Sequence, residues 1–524
     1  MESLDRKEGE FVYLSIKTGL HRCIDTNIHD GNLIELKFNV DGLPISKSSD
    51  LQLWPTLCQV HHEAICYQPF AVSIFCGMSK PISNDVYFEE FVSEMNDLLE
   101  NGIDIEGKHY RISIKCFVCD TPARAFCKNI VGHNHKFGCE RCIVKGTKRG
   151  FKQTVFLSTN SAERTDDSFR NQSQIQHHKG HSLLSDIRLP MNMIFTFVLD
   201  FMHLCFLGVM KKLLFFWLEG NLNFRLRSRL RNALSDRMEL LKNEVPCEFQ
   251  RKPRSTKKYK KWKATEFRFF LLYCGPIILK KILSKRLYKH FLLLHCACRI
   301  LSMDNICIRL NGFAKTFLVQ FVKGAKSFYG KSSLTMNLHN LLHVADDART
   351  MNCSLTKISC FPFENFLGKL KVKLRSPLKP LAQICRRLHE EANVINQKGK
   401  ISPAIDVLKA KQNNILKIKF KEYTLTAKEP DNIVLLKNRK FLKIKKIVKN
   451  RDDIEIRGQY FKGKKPIYVY PFKSTALNMW EIYPDSLEEL HTFPLSFVDK
   501  KGMKLSASIR DDANKRYYLL PLIH

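Results

Sequence analysis

Three acidic residues occupy positions that suit the ligands of a hard metal ion. Asp41 and Asp120 each follow a run of alternating apolar residues, and Glu364 lies in the first turn of an amphipathic segment. Alternation with a period of two is typical of a β-strand, whereas apolar residues at i, i+3, i+4 and i+7 are typical of a helix. Three such carboxylates can hold a pair of Mg²⁺ ions about 3.5–4 Å apart, which clamp the attacking and leaving oxygens of a phosphodiester. The pattern predicts this site, although each acid alone is more typical of a turn or a solvated surface.

A polar pair lies in the apolar stretch 189–210, LPMNMIFTFVLDFMHLCFLGVM. Asp200 and His203 are near its middle, and a carboxylate at the centre of a bilayer costs about 2.5–3.5 kcal/mol. The stretch is therefore predicted to be a buried helix and not a membrane span. One helical turn separates the two residues, so they share a face and can form a hydrogen bond. Two alternatives stay open: a satisfied buried pair, or a pair that faces the acidic site.

Thiols and imidazoles are spaced like zinc ligands. Two C-x-x-C pairs are separated by 19 residues, with two histidines between them: Cys116, Cys119, His133, His135, Cys139 and Cys142. Four of these can close a tetrahedral shell. Side chains at i and i+3 of a strand point to opposite faces, so Cys116 and Cys119 are an awkward pair. We expect Cys139 and Cys142 to bind zinc with Cys119 and one of Cys116, His133 or His135; buried thiols without metal remain the alternative.

A basic run at 251–263, RKPRSTKKYKKWK, could contact a polyanion. It has eight Lys or Arg and no acid: Arg251, Lys252, Arg254, Lys257, Lys258, Lys260, Lys261 and Lys263. Tyr259 and Trp262 are interleaved with these cations and could stack on unpaired bases. A second run, 437–449, has seven cations. The pattern predicts either a nucleic-acid groove that includes Trp262 or a nuclear import signal.

Composition narrows the class of partner. The chain has 524 residues, of which 86 are Lys or Arg and 51 are Asp or Glu, for a formal charge of +35. Hydrophobic residues make up 44% of the chain, which is enough for a large core and excludes a disordered protein. The N-terminal segment is charged where a signal peptide would be apolar, so we expect a reducing compartment and no disulfide framework. Nucleic acid is the expected partner, and a membrane surface is not.

The predicted elements indicate an α/β protein in which a long helical stretch separates two strand-rich parts. Strands dominate the first 120 residues, and one helix among them, with Phe88, Phe91, Met95 and Leu98 on one face, should stop at Gly102. Helical spacing dominates from about 190 to 420, and short alternating strands return after that. The predicted divisions are a strand-rich part with a Cys/His insert (1–188), a helical insertion (189–350), a part with the third acid and the following helices (351–428) and a β-rich module (429–524).

These stretches together resemble the transposases of the CACTA (En/Spm) group. The matching segments follow the family's order: KFNVDGLPISKSS, CDTPARAF, GHNHKFGCERC, DFMHLCFLGVMKKLL, EFRFFLLYCGP, HFLLLHCACRILS, NLHNLLHVADDA and FPFENFLGKLK. The resemblance implies an RNase H-like core that is interrupted by a long all-helical insertion. It also implies that Asp41, Asp120 and Glu364 are the catalytic triad, and that Asp200 and His203 form the family's D-x-x-H motif.

The resemblance further implies partners and cofactors. A DNA transposase of this group would use Mg²⁺ or Mn²⁺, act on DNA in the nucleus, and assemble as a homo-oligomer by analogy, because two DNA ends must be brought together. The Cys/His insert would hold a structural Zn²⁺. The alternative function is a host-adopted, non-catalytic nuclear protein that binds DNA or acts as a scaffold. Retention of all three acids favours the enzyme.

Overall fold

A computed structural model describes residues 9–46, 50–63, 65–150, 153–188, 191–376, 378–394, 400–401, 405–411, 414–420, 422–450, 453–483, 487–506 and 516–523. The chain is a mixed α/β protein that divides into two compact units. The first unit comprises Met1–Leu204 and Lys331–Ile401, and the second comprises Cys205–Gly330 and Ser402–His524. Both units are therefore assembled from two separate stretches of sequence.

The main sheet of the first unit positions the candidate site. Its principal described strands are β1 (Glu10–Tyr13), β2 (Leu33–Val40), β3 (Gln52–His61), β4 (Phe70–Gly77), β5 (Lys108–Cys119) and β6 (Phe197–Leu199). They lie in the order β1-β4-β3-β2-β5-β6, and the short strands Leu43–Pro44 and Ile103–Ile105 pair with β3 and β5. The pairs on the β1 side of β2 are antiparallel, whereas β2, β5 and β6 run parallel. The carboxyl ends of β2, β5 and β6 therefore meet at one edge.

Helices cover this sheet. The described ones are α1 (Ile16–Cys23), α2 (Asn84–Asn101), α3 (Thr121–Cys127), α4 (Asp166–Arg170), α5 (Met336–Asn340), α6 (Val344–Thr350), α7 (Phe361–Val372) and α8 (Pro380–Val394). The predicted face of α2 is confirmed, because Phe88, Phe91, Met95 and Leu98 are all buried in the core. The ring of Phe91 packs edge-on against Phe38 of β2, with centroids 5.0 Å apart. Gly102 ends α2 as predicted, with the positive φ of 68° that favours glycine.

The second unit combines helices with a C-terminal sheet. Its longer described helices are Lys211–Leu218, Ser228–Leu240, Lys285–Leu301 and Asn311–Tyr329. The main strands of its sheet are Ile405–Lys411, Asn414–Phe420, Ile433–Leu436, Phe441–Asn450, Asp453–Phe461, Leu487–Pro494, Val498–Ser506 and Tyr517–Pro521. The guanidinium of Arg299, which is fully buried, donates to the carbonyls of Leu272 and Pro521 at 2.7 and 2.9 Å. The helices and the C-terminal strands thus form one body.

Two expectations about the middle of the chain need correction. The predicted buried helix over 189–210 is wrong in its first half, where β6 pairs with β5 before a π-helical segment, Met202–Met210, begins; residues 189 and 190 lie outside the described residues. The unit boundaries also differ from the predicted divisions 189–350 and 351–428, because residues up to 204 and residues 331–401 pack with the first unit. The expected helices up to about 420 are replaced by strands at Ile405–Lys411 and Asn414–Phe420, which belong to the second unit. Among the described residues, no helix is both long and apolar enough to cross a membrane.

Candidate metal centre at the strand ends

Asp41 follows the carboxyl end of β2. Its Oδ1 accepts a hydrogen bond of 2.7 Å from the amide of Gly42, which closes the turn predicted at this position. A Cβ on Gly42 would lie only 2.9 Å from the indole of Trp54, so no larger residue fits without displacing that ring. Glycine therefore allows the chain to turn sharply against Trp54 and leaves the Asp41 carboxylate at the sheet edge.

Asp120 is both the end of β5 and the N-cap of α3. Its Oδ1 accepts a hydrogen bond of 2.8 Å from the amide of Ala123, which satisfies one of the free N–H groups in the first helical turn. Proline in that first turn, at position 122, is compatible with a helix start because its missing N–H has no intrahelical partner there. An acidic residue at this strand end is thus fixed by two elements at once.

Glu364 lies in the first turn of α7. Phe363, Leu367 and Leu370 on the neighbouring face of this helix are buried, so the helix is anchored to the core of the first unit. The Glu364 side chain remains 42% exposed. The helix therefore presents a carboxylate at the surface of the unit while its other face is held.

The three acids, here named the acid cluster (Asp41, Asp120 and Glu364), share one electrostatic environment. Burial, followed by the negative charges of Asp120 and Glu364, raises the pKa of Asp41 to about 7. Partial burial also raises the pKa of Glu364, and the negative charges of Asp200 and Asp120 act in the same direction. The structure thus brings together acids that are more than 300 residues apart in sequence.

Asp200 follows β6 and so adds another aspartate to the same edge. Its Oδ2 accepts hydrogen bonds from the His203 amide and the His203 Nδ1, both at 2.8 Å, and its Oδ1 accepts one of 2.8 Å from the amide of Cys360. Asp200 is buried, and Cys360 immediately precedes α7. The carboxylate therefore ties the end of β6 to the start of the helix that carries Glu364.

His203 carries a positive charge toward the acid cluster. Burial opposes its protonation, but the hydrogen bond and charge of Asp200 outweigh this and raise the pKa of His203 to about 9. Its Nε2 lies 3.6 Å from a carboxylate oxygen of Glu364. Both sequence alternatives are realised, since the pair is internally satisfied and also faces the acids.

The donor chemistry of the acid cluster fits a hard divalent cation. Carboxylate oxygens are the ligands that Mg²⁺ and Mn²⁺ prefer. Burial is the main cause of the raised pKa of Asp41, and the negative charges of Asp120 and Glu364 add to it, so a bound cation would relieve this repulsion. Oxygens from all three acids do not lie within 4.8 Å of one another, so binding of shared ions would require the side chains to move closer.

A separate Cys/His cluster lies in the same unit and is formed by Cys139, Cys142, His339 and His343. All four residues are buried, and their ligand atoms lie within 4.8 Å of one another. The Sγ atoms are 3.6 Å apart, the two Nε2 atoms are 3.4 Å apart, and the S-to-N separations are 3.2 Å for Cys142 to His339 and 3.9 Å for Cys139 to His343.

These four of the six separations agree with the edge lengths of a tetrahedral metal site, and the other two are below 4.8 Å. Ligands at about 2.0–2.3 Å from a tetrahedral ion lie roughly 3.3–3.8 Å from one another. Burial opposes ionisation of Cys139, but contacts with Cys142, His339 and His343 together lower its pKa, which favours the thiolate that binds metal. The residues therefore fit a four-coordinate ion of the kind that thiolates and imidazoles hold.

Of the predicted ligand set, the structure places Cys139 and Cys142 in the Cys/His cluster and leaves Cys116, Cys119, His133 and His135 outside it. Cys116 and Cys119 are buried in β5, where the Cys119 Sγ accepts a hydrogen bond of 3.2 Å from the Val40 amide. His133 and His135 belong to the loop after α3, and His135 is exposed with its Nδ1 facing the Phe137 amide at 3.3 Å. The first C-x-x-C pair is thus committed to the sheet.

The missed ligands come from a distant part of the chain. His339 lies in α5, and His343 directly precedes α6. Their spacing of four residues, in NLHNLLHVADDA, places two imidazoles on one side of a helical segment and is a recognisable ligand pattern. That spacing was the available signal, but the partner thiols lie about 200 residues earlier.

The basic run 251–263 is exposed only in part. Lys257, Lys258 and Lys261 are exposed, as are Arg251, Lys252, Lys260 and Lys263. Arg254 forms an ion pair with Glu266, and Lys260 forms one with Glu219 at 2.6 Å. Exposed lysines therefore remain available to a polyanion.

The predicted base stacking by Tyr259 and Trp262 is wrong. Both side chains are only 3% exposed. The indole of Trp262 packs against Phe267 and Phe270, with ring centroids 5.4 and 6.0 Å apart. The aromatic residues anchor the run to the second unit, because their faces are more favourably buried in its core than left in water.

A family described as a domain of unknown function (DUF8592) matches residues 396–522, which contain the C-terminal strands. No curated protein shows significant similarity to the chain.

Proposed function

We propose that the protein is a DDE transposase of the CACTA type, which cleaves and joins DNA strands with two divalent metal ions. The observation that carries this proposal is the acid cluster: carboxyl groups from the ends of two adjacent parallel strands and from the first turn of one helix, where the charges of Asp120 and Glu364 help to raise the pKa of Asp41. Such perturbed groups at one position are a feature of functional sites. The resemblance of the sequence motifs to this transposase group supports the same function.

The strand order supports an RNase H-like core. Strands β2, β3 and β4 form an antiparallel meander, after which β5 and β6 add in parallel on the other side of β2. Asp41 and Asp120 then lie at the ends of the adjacent parallel strands β2 and β5. This is the placement that the resemblance implies for the first two acids of a DDE triad, with a long insertion before the third.

The roles of the side chains follow from their positions. Asp41, Asp120 and Glu364 would hold Mg²⁺ or Mn²⁺, and such ions activate the attacking oxygen and stabilise the leaving oxygen of a phosphodiester. Asp200 accepts from the Nδ1 of His203 and so directs the opposite ring nitrogen toward Glu364. The charged imidazole would restrain Glu364 before metal is bound and could contact a phosphate afterwards.

Zinc is the proposed ion for the Cys/His cluster. Two thiolates and two imidazoles in a closed tetrahedron are a donor set that Zn²⁺ favours, and a site without an open position is structural. The exposed cations at 251–263 would contact DNA phosphates, and nuclear localisation and self-association are expected by analogy with transposases. The alternative, a non-catalytic DNA-binding or scaffold protein, predicts the same metal and DNA contacts without cleavage.

A plasmid assay tests the proposed activity. Purified full-length protein should nick supercoiled plasmid or join labelled DNA ends into it when Mg²⁺ or Mn²⁺ is added. Asp120→Asn and Glu364→Gln should abolish both reactions but retain DNA binding. Asp104→Asn, at a 79% exposed acid of the same unit, is the matched control and should remain active. Binding of DNA without cleavage by the wild-type protein in either metal would support the non-catalytic alternative.

A further inference from the structure

The two residues between the cysteines of the Cys/His cluster are a buried acid and a buried base. Glu140 and Arg141 are 4% and 3% exposed. Burial of a charge is costly unless it is paired and hydrogen-bonded, so the partners of these side chains indicate what they do.

Glu140 contacts the helix that begins at Asp120. Its carboxylate accepts hydrogen bonds of 3.0 and 3.2 Å from the Nε of Arg124 in α3. Arg124 in turn donates through Nη1 to the carbonyl of Cys119 at 2.7 Å and through Nη2 to the hydroxyl of Thr121 at 3.1 Å. The residues on either side of Asp120 are therefore both held by a guanidinium that Glu140 orients.

Arg141 contacts the strand that ends at Asp200. Its Nη2 donates to the carbonyl of Phe197 at 2.8 Å and lies 2.6 Å from a carboxylate oxygen of Asp347. The other oxygen of Asp347 accepts a hydrogen bond of 2.7 Å from the amide of Leu199. Arg141 and Asp347 thus hold both ends of the three-residue strand β6, directly before Asp200.

We infer that Glu140 and Arg141 are positioning residues, which couple the order of the Cys/His cluster to the strand ends that carry Asp120 and Asp200. A metal ion on Cys139 and Cys142 fixes the short segment between them, and this segment then fixes the two acids through Arg124 and Asp347. The inference rests on the proposed function for its consequence, namely that zinc loading organises the site that binds Mg²⁺ or Mn²⁺. The coupling itself is a property of the hydrogen-bond network.

Manganese binding is the first test. The full-length protein, loaded with zinc, is titrated with Mn²⁺, and free Mn²⁺ is measured by electron paramagnetic resonance. Arg141→Met should weaken Mn²⁺ affinity by about tenfold or more, the effect typical of residues that orient metal ligands, with zinc content unchanged. Arg141→Lys should recover part of the affinity. Arg170→Met is the control, because Arg170 of α4 donates to the carbonyls of Ser185 and Met191 at 2.7 and 2.8 Å, and neither residue belongs to the Cys/His cluster or to a strand end that carries an acid.

Hydrogen exchange is the second test and does not depend on the acid cluster binding metal. Removal of zinc, or Arg141→Met, should increase amide exchange in peptides covering 196–204, and Glu140→Gln should do so in 117–127. Exchange in 285–301 of the second unit should not change. Unchanged exchange at the strand ends after zinc removal would overturn the inference. Changed exchange in a wild-type protein that binds no Mn²⁺ would retain the coupling and contradict the proposed function instead.

A second inference concerns the solvent face of the C-terminal sheet. In the antiparallel pairing, Lys409 lies opposite Lys417, and Lys446 lies opposite Arg457. Like charges directly opposite on a sheet destabilise it. The three lysines are exposed and form no ion pair with another described residue, whereas Arg457 forms an ion pair with Glu455 at 3.8 Å. We name these four residues the basic sheet face.

The basic sheet face has the arrangement expected of a surface that meets a polyanion. On the strands that carry Lys417, Lys446 and Arg457, the opposite side contributes to a buried apolar core that includes Ile418, Ile447 and Ile456, so these three cations lie on the solvent side. The repulsion between paired cations is relieved when phosphates lie between them. We propose that this face, which lies in the matched domain of unknown function, binds the phosphate backbone of a nucleic acid.

The salt dependence of binding tests this surface. The triple variant Lys409→Gln, Lys417→Gln, Lys446→Gln should bind a duplex oligonucleotide with a log K against log salt slope that is smaller by about 2–3 than that of the wild type. A control with equal charge, Lys285→Gln, Lys323→Gln, Lys326→Gln, changes exposed lysines on helices of the same unit and should keep the wild-type slope. An unchanged slope in the first variant, or binding to phosphatidylserine vesicles without binding to DNA or RNA, would overturn the proposal.

Discussion

At the scale of one residue, Asp41 shows that burying a carboxylate beside other acids without a cation is energetically unfavourable. Its pKa is raised from 3.8 to about 7 by burial and then by the charges of Asp120 and Glu364. The folded protein therefore holds this proton more tightly than the unfolded chain does. The stability that this proton contributes is fully present below about pH 4 and is lost as the pH rises toward 7.

Asp41→Asn should stabilise the protein when Mg²⁺ and Mn²⁺ are absent. At pH 8 the substitution removes a buried negative charge that its neighbours repel, so we expect a free energy of unfolding higher by about 1–3 kcal/mol. At pH 5 the gain should be smaller, because Asp41 is then protonated in the folded wild type and ionised only in its unfolded state. Thermal unfolding followed by circular dichroism at both pH values measures this. A wild type that is more stable than the variant at pH 8 without added metal would contradict the repulsion.

Asp200 is the residue whose loss should be most costly near the site. Alanine at this position removes the acceptor for the amides of His203 and Cys360 and for the imidazole of His203. Removing one partner of a buried charged pair typically costs about 3–5 kcal/mol, and we expect Asp200→Ala to lose an amount in this range. Urea unfolding gives the value. Asp104→Ala, at an exposed acid, should cost less than about 1 kcal/mol.

At the scale of elements, the strands and the helix with strong apolar periodicity were predicted correctly from the sequence. Strands β2 and β5 and helix α2 follow from alternation and from the apolar face that ends at Gly102. The three-residue strand β6 could not be predicted, because a strand so short has no period and is formed only by pairing with β5. The same limit applies to His339 and His343, since their contact with Cys139 and Cys142 depends on how the chain folds back and not on local spacing.

Metal analysis can distinguish the two candidate ligand sets. We expect about one Zn²⁺ per chain, and expect Cys142→Ser and His343→Asn to lose it, because each removes one corner of the tetrahedron. Cys116→Ser and His135→Asn should retain zinc, since neither residue belongs to the Cys/His cluster. The metal content of the purified variants is measured by mass spectrometry. Loss of zinc from the Cys116 variant while the His343 variant retains it would favour the set predicted from sequence.

At the scale of the whole molecule, the basic run 251–263 has two separate roles. Its buried aromatic residues stabilise the fold, and its exposed lysines are available to a polyanion. Trp262→Ala should lower the stability of the second unit by about 3–5 kcal/mol, because a buried indole is lost. At a temperature where the variant is folded, its affinity for single-stranded DNA should equal that of the wild type. A thermal melt measures the stability of the variant, and fluorescence anisotropy at a temperature where it is folded measures its affinity for DNA. Weaker binding by a folded variant would restore the stacking role.

Neutralising the exposed lysines of this run should leave stability nearly unchanged and should reduce the salt dependence of DNA binding. Lys257→Gln, Lys258→Gln and Lys261→Gln together remove cations without touching the core, so stability should stay within about 0.5 kcal/mol for each substitution. The salt slope of DNA binding should become smaller by about 2–3. Nuclear import of a fluorescent fusion is measured in parallel. If nuclear import is lost while the salt slope of DNA binding is unchanged, the run acts in nuclear import and not in DNA binding.

The first unit is discontinuous, and this affects the order in which the protein can mature during synthesis. Asp120 leaves the ribosome 244 residues before Glu364, and the cysteines of the Cys/His cluster precede His343 by about 200 residues. At roughly 5–20 residues per second, the growing chain is without a complete metal-binding centre for on the order of ten seconds or more. A nascent chain that terminates early, anywhere before α7, lacks the third acid altogether. Prematurely released fragments are consequently unable to cut DNA by the proposed mechanism, and competence for this reaction arises only after most of the polypeptide has been made.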